Sequence, residues 1–155
     1  MNPRHNWNSW DQYQAIHDHH ISDYSHFILD DQLFSTLASN QVWWKGVLYC
    51  QGGLELHVTK LQQVEYRNGQ PWVRTLTYKY HLLHRQNGLD VNVFRYDNIH
   101  VHPAHPDAHH RHRYAPDGTE IEPTQHIGVA KWPTLAEVID EAHEYWLSLT
   151  QTTMP

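Results

Sequence analysis

The chain has 155 residues, with 11 Lys and Arg against 17 Asp and Glu, a formal charge of −6 with neutral His, and 16 His, seven Trp, nine Tyr but one Cys. A chain of this length hides roughly 70% of its unfolded surface as one compact domain, so it needs neither a disulfide nor a structural metal. No apolar run exceeds four residues, against the about 20 that a membrane-spanning helix requires, and the charge is uneven: residues 41–114 carry nine Lys and Arg against five Asp and Glu, between two acidic ends.

Cys50 sits in the apolar run Val47-Leu48-Tyr49-Cys50 and reads as a buried thiol in a reducing compartment. The opening MNPRHNWNSW lacks the apolar centre of a secretory leader, so the expected address is the cytoplasm, with no membrane partner. Ser9-Trp10-Asp11-Gln12 has the form of a capping box and predicts a helix from about Trp10, with Trp10, Tyr13, His17, His20, Tyr24, Phe27 and Ile28 along one stripe. A second short helix is expected over residues 30–39, burying Leu33, Phe34 and Leu37. Residues 1–40 thus read as a helical arm on a core of residues 41–155, together one compact domain.

From Gln41 the apolar period changes to two, and strands are expected over 42–50, 54–66, 71–85 and 89–96. Asn68-Gly69 and Asn87-Gly88 are the dipeptides that two-residue type I′ turns favour, because both central residues need φ > 0. Residues 100–132, rich in Pro and Gly, read as a long functional loop with one short strand. Pro133-Thr134-Leu135-Ala136-Glu137 then opens a helix with a second capping box. Leu135, Val138, Ile139, Ala142, Trp146 and Leu149 form its apolar stripe, and Glu137, Asp140, Glu141 and Glu144 its wet face. The expected fold class is α+β: N-terminal helices, a four-stranded antiparallel meander, a His-rich loop and a C-terminal amphipathic helix.

Two-residue turns fix register, and that register sets His57, Tyr80 and Arg95 opposite one another on one face, with Glu55, Tyr78 and Asp97 beside them. Leu54, Leu56, Val58, Leu83 and Phe94 fall on the other face. An ordinary solvated sheet surface would show similar pairs, but the segment that follows is unusual. His100, His102, His105, His109, His110 and His112 fall within 13 residues, beginning just after Asp97. Such a tract can take up a metal, making a His-rich metal-binding hydrolase one reading. However, His109-His110-Arg111-His112 matches no structural zinc spacing, and Arg111 and Arg113 would repel a dication. The other reading is acid–base cleavage of RNA through its 2′-OH, which needs a base, an acid and a cation for the phosphoryl charge but no metal or cofactor. A binding protein that holds RNA or a ribosomal surface without cutting it is the third.

Phe94-Arg95-Tyr96-Asp97-Asn98, followed by His102-Pro103 and by His109-His110-Arg111-His112, resembles the TumE-type toxins of toxin–antitoxin pairs. Tyr78-Lys79-Tyr80-His81, the Asn87-Gly88 turn and Pro133-Thr134-Leu135-Ala136-Glu137-Val138 extend the resemblance over residues 46–146. It implies a bacterial toxin acting as a ribosome-associated RNase, neutralised by a helix-turn-helix antitoxin, with a layout similar to RelE-like small RNases. By motif, the family's shared residues fall on Tyr80, Arg95, Tyr96, Asp97, Asn98, His102, His109, His110 and His112. Expected roles are Arg95 as transition-state cation, His109 or His112 as acid or base with His110 beside them, Asp97 orienting an imidazole, and Tyr80 placing a base or phosphate. Tyr96, Asn98, His100, His102, Arg111, Arg113 and His57 are expected to contact RNA.

Overall fold

The computed structural model describes residues 5–101 and 103–152. A two-residue strand, β1 (Asn8–Ser9), leads into α1 (Trp10–Asp23), which starts where the capping box places it: Ser9 Oγ accepts from the Gln12 N–H at 3.2 Å. Beyond α1 the expected architecture is overturned. Residues 30–39 form no helix; most belong to strand β2 (Ile28–Leu37), paired antiparallel with β3 (Gln41–Cys50). Leu33 is buried while Phe34 and Leu37 are exposed, the alternation of a strand rather than the stripe of a helix.

The next strands are β4 (Leu54–Arg67), β5 (Gln70–Gln86) and β6 (Leu89–Asp97). Residues 100–132, expected as a loop with one short strand, carry two: β7 (His110–Tyr114) and β8 (Glu120–His126). α2 (Leu135–Thr152) closes the described chain, with Thr134 and Glu137 forming the expected reciprocal cap. Among the described residues the result is one antiparallel sheet of eight strands in the order β2-β3-β4-β5-β6-β7-β8, with β1 pairing β5 at Val73 and Trp72, and two α-helices. A mostly-sheet fold therefore replaces the four-stranded α+β layout and its RelE-like analogy. The last two strands escape a pattern reading because HRHRY and EIEPTQH carry almost no apolar residues to alternate. Pro123 is tolerated because β8 is an edge strand.

Both predicted hairpin turns form, with φ of 51° and 76° at Asn68 and Gly69 and 51° and 79° at Asn87 and Gly88. Beside each turn the expected register holds: Arg67 faces Gln70, and Gln86 faces Leu89. Each hairpin then takes up one extra residue. Leu61 and Gln62 face Thr77 and Thr75, leaving Leu76 as a bulge, and Leu82 and Leu83 face Phe94 and Asn92, leaving Val93 as another. Past the bulges every partner moves by one. Tyr80 faces Val58 and Tyr96, and it is His81 that lies opposite both His57 and Arg95. Leu83 likewise moves off the core face, where Leu82 replaces it.

The core lies on one side of the sheet. Leu54, Leu56, Val58, Tyr78, Tyr80, Leu82 and Phe94 are buried there with Leu135, Val138, Ile139 and Ala142 of α2, while α1 lays Trp10, Tyr13 and His17 edge-on against Trp44. The wet face expected for α2 is only partly wet, since Asp140 accepts from Tyr24 Oη at 2.6 Å and Glu141 pairs with Arg111 Nη1 at 2.5 Å. The opposite side of the sheet carries His57, His81, Arg95 and His112 in one row. Covering one face and leaving the other largely to water is the common state of an antiparallel sheet; here the second face is open around His57 and Arg95 and buried at Asp97, His110 and His112.

Candidate active site on the open face

The row crosses the sheet from Val47 through His57, His81 and Arg95 to His112, each opposite the next. A second row, Lys45, Thr59, Lys79, Asp97, His110 and His126, runs beside it. Side chains at alternate positions share a face, so the two rows present their groups to the same side. Between them Lys45, Val47, His57, Lys79, His81 and Leu83 line a shallow groove of about 300 Å³.

At the β6–β7 end the polar groups interlock. Arg95 Nε donates to Asp97 Oδ2 at 3.1 Å, and Arg95 Nη2 donates to His112 Nε2 at 2.8 Å. His112 Nδ1 donates to Glu120 Oε1 at 2.6 Å. A guanidinium on Nε2 and a carboxylate on Nδ1 together specify the neutral ring with its proton on Nδ1, so the Nε2 lone pair points at Arg95. Asp97 Oδ2 is also 3.4 Å from Nε2, and Asp97 Oδ1 accepts from the Ile99 N–H. Asp97 is 2% exposed and His112 7%, whereas the Arg95 side chain is 24% exposed. Arg95 and Glu120, whose side chains are 24% and 37% exposed, are therefore the parts of the cluster that solvent reaches.

His81 Nε2 donates to Asn92 Oδ1 at 2.8 Å, and its pKa is held down to about 4, first by burial, with Arg95 and Lys79 adding to the effect against the Asn92 hydrogen bond. It is a neutral ring at pH 7. His57, half-exposed, lies 3.3 Å from Glu55 through Nε2.

The other histidines of the tract do different work. His110 is wholly buried on the same face; Nδ1 donates to the Ala108 carbonyl at 2.7 Å, and Nε2 lies 2.7 Å from His105 Nδ1. His105 and His126 pack against it, and His126 Nε2 donates to Asp107 at 3.1 Å. These contacts fold residues 103–109 onto the end of the sheet. Among the described residues no three His, Cys, Asp or Glu side chains converge as metal ligands. His109 faces the core side, packed against the stacked pair Tyr78 and Trp132; its Nδ1 accepts from Tyr78 Oη at 2.9 Å, and burial lowers its pKa. It lies on the opposite side of the sheet from Arg95, whereas His112, the other imidazole expected as acid or base, lies on Arg95's side.

Tyr80 is likewise displaced. It is 1% exposed, stacks on Tyr78 at 5.1 Å, and burial pushes its phenol well above the ordinary value of 10.0. Tyr96 and Arg111 face α2: both engage Glu141, and Arg111 lies 4.9 Å above the Tyr96 ring. Asn98 is a clamp, with Oδ1 accepting from the Tyr78 N–H at 2.9 Å and Nδ2 donating to the Leu76 carbonyl at 2.8 Å. Arg113 is exposed and donates to the Pro123 carbonyl, His100 is exposed in the loop, and His102 lies outside the described residues. Of the residues expected to contact RNA, His57 alone lies on the row with Arg95.

His81, Asn92 and Glu120 enter the site without having been expected. For the first two a signal exists: Val91, Val93, Phe94 and Tyr96 break period two between Val93 and Phe94, which marks a bulge and shifts every partner beyond it. Comparison with protein-family models, with curated proteins and with solved structures finds no match to this chain.

Proposed function

We propose that the open face binds single-stranded RNA and that Arg95 and His112 cleave it without a metal. The supporting observation is the 2.8 Å contact between Arg95 Nη2 and His112 Nε2, with Glu120 fixing the far side of the ring. When a phosphate takes over the Nη2 donor, the Nε2 lone pair is released beside the bound diester. It then removes the 2′-OH proton while the 2′-oxygen attacks phosphorus and the P–O5′ bond breaks. Arg95, held through Nε by Asp97, stabilises the charge on the pentavalent phosphoryl group through a planar fork. The departing 5′-oxygen takes its proton from solvent; His81, neutral at pH 7, is not that donor. The products are a 2′,3′-cyclic phosphate and a 5′-hydroxyl.

The resemblance of the FRYDN and HHRH segments to TumE-type toxins agrees with this chemistry and adds its biology: a toxin of a toxin–antitoxin pair, acting on ribosome-associated RNA and held by a helix-turn-helix antitoxin. The 7% exposure of His112 favours a second reading, in which the face holds RNA and cuts nothing. Mapping RNA ends after incubation in EDTA separates the two. New ends carrying cyclic phosphate are expected, and stable association with no new ends would leave binding alone.

A further inference from the structure

The covered side of the sheet holds a second polar site, remote from the histidine-rich edge. Lys60, in the middle of β4, points inward with Val58 and Gln62 and is 1% exposed. Its surroundings are aromatic. The ammonium lies 4.7 Å from the Tyr13 ring centre and 4.8 Å from that of Trp44, and it donates to Tyr13 Oη. Among the described residues no carboxylate pairs with it. An ammonium buried without a counter-ion is costly, and cation–π contact offsets only part of that cost.

A cavity of about 300 Å³ opens between α1, β5 and the start of α2; Tyr13 and Gln62, next to Lys60, line it, and Lys60 itself does not. That volume is the small end of the range for small-molecule sites. Tyr13, Ile16, Val73, Tyr80, Trp132 and Leu135 make its lining largely apolar, and the Trp132 ring is itself stacked on His5, Tyr78 and His109. Arg74 and His17 also line it, and no Asp or Glu among the described residues does, although the chain as a whole carries −6. His17 is kept neutral at pH 7, its pKa lowered to about 4 by burial and by Lys60. Tyr13 links the two features: its oxygen accepts from Lys60, its ring lines the cavity, and its O–H proton has no acceptor among the described residues. That proton is available to a bound oxygen.

We propose that this cavity binds a small organic acid whose carboxylate accepts the Tyr13 O–H near the Lys60 ammonium, with its apolar body against Ile16, Val73 and Leu135. The carboxylate supplies negative charge close to Lys60 through Tyr13, and the apolar lining selects an organic acid over a bare inorganic anion. Neither group takes part in the proposed RNA chemistry.

The test titrates the full chain with benzoate, benzyl alcohol and inorganic phosphate while following the indole N–H resonances. Trp44 Nε1 donates to Gln62 Oε1 at 2.7 Å, and Gln62 and Trp132 line the cavity, so occupancy reaches both reporters. Saturable shifts are expected with benzoate, at least about tenfold tighter than with benzyl alcohol, and none with phosphate. Tyr13→Phe keeps the ring and removes the hydroxyl, and Lys60→Met keeps most of the stem; each is expected to weaken benzoate by about tenfold or more. Equal affinity for the acid and the alcohol, no saturation by benzoate in the millimolar range, or unchanged benzoate affinity in a folded Tyr13→Phe would overturn the proposal. The acid-to-alcohol preference is read on the unmodified chain, so it decides even if a variant fails to fold.

Discussion

Arg95 makes two contacts at once, Nε to Asp97 and Nη2 to His112, and only a rigid guanidinium fork spans both. Lysine offers one flexible point charge. Arg95→Lys is therefore expected to lose most of the activity that Arg95→Ala loses, a fall of roughly 10²–10³ in cleavage rate in initial-rate assays. Recovery in Arg95→Lys to within a few-fold of wild type would show that charge alone suffices. Arg95, Asp97 and His112 were all named from the sequence, because a guanidinium, a carboxylate and clustered imidazoles around one strand end suggest phosphodiester chemistry. Tyr80, His109 and Arg111 were named as well, yet they face the core side. A motif gives the residue types, whereas the pleat decides which of them meet.

That decision rests on the bulges in β5 and β6. The Asn-Gly turns were legible, and so was the register beside them, because turn chemistry is local. Leu76 and Val93 are extra residues whose effect lies several positions away, and only the odd apolar steps from Val73 to Tyr78 and from Val93 to Phe94 betray them. Asn98 holds the first bulge by bonding both Leu76 and Tyr78. Asn98→Ala leaves the Tyr78 N–H without that partner and should cost about 1–3 kcal/mol, seen as a drop of several degrees in melting temperature. Cleavage should fall with it, because Arg95 and Asp97 lie beyond the clamped segment. A variant as stable as wild type would mean that the bulge holds without Asn98. β2 reads as a helix because Leu33, Phe34 and Leu37 also fit a helical stripe, while β7 and β8 read as a loop with one short strand because HRHRY and EIEPTQH carry few apolar residues.

At the scale of the molecule, one covered face and one open face set both the pH and the salt response. His17, His81 and His109 all have pKa values lowered by burial, the first two from 6.5 to about 4. The unfolded chain therefore binds more protons than the folded one between about pH 6.5 and pH 4. Stability is full above that window and is lost as pH falls through it, at up to about 1.4 kcal/mol per pH unit for each extra proton. Urea titrations at stepped pH should show the decline, and a flat profile from pH 7 to pH 4 would contradict the burial of these rings. No helix among the described residues is long and apolar enough to cross a membrane. The groove is lined by Lys45 and Lys79, and Arg95 lies opposite its His81. If those three contact phosphates, log affinity for single-stranded RNA should fall against log salt with a slope of about −2, from roughly 0.7 per contact. A slope near zero would place RNA elsewhere.

The most direct test of a joint Arg95–His112 centre is the cleavage rate, in EDTA, of Arg95→Ala, His112→Ala and the double variant. If the two side chains act as one unit, each single change lowers the rate by about 10² or more and the double falls little further. Wild-type cleavage in either single variant, or losses that simply multiply in the double, would contradict a shared centre.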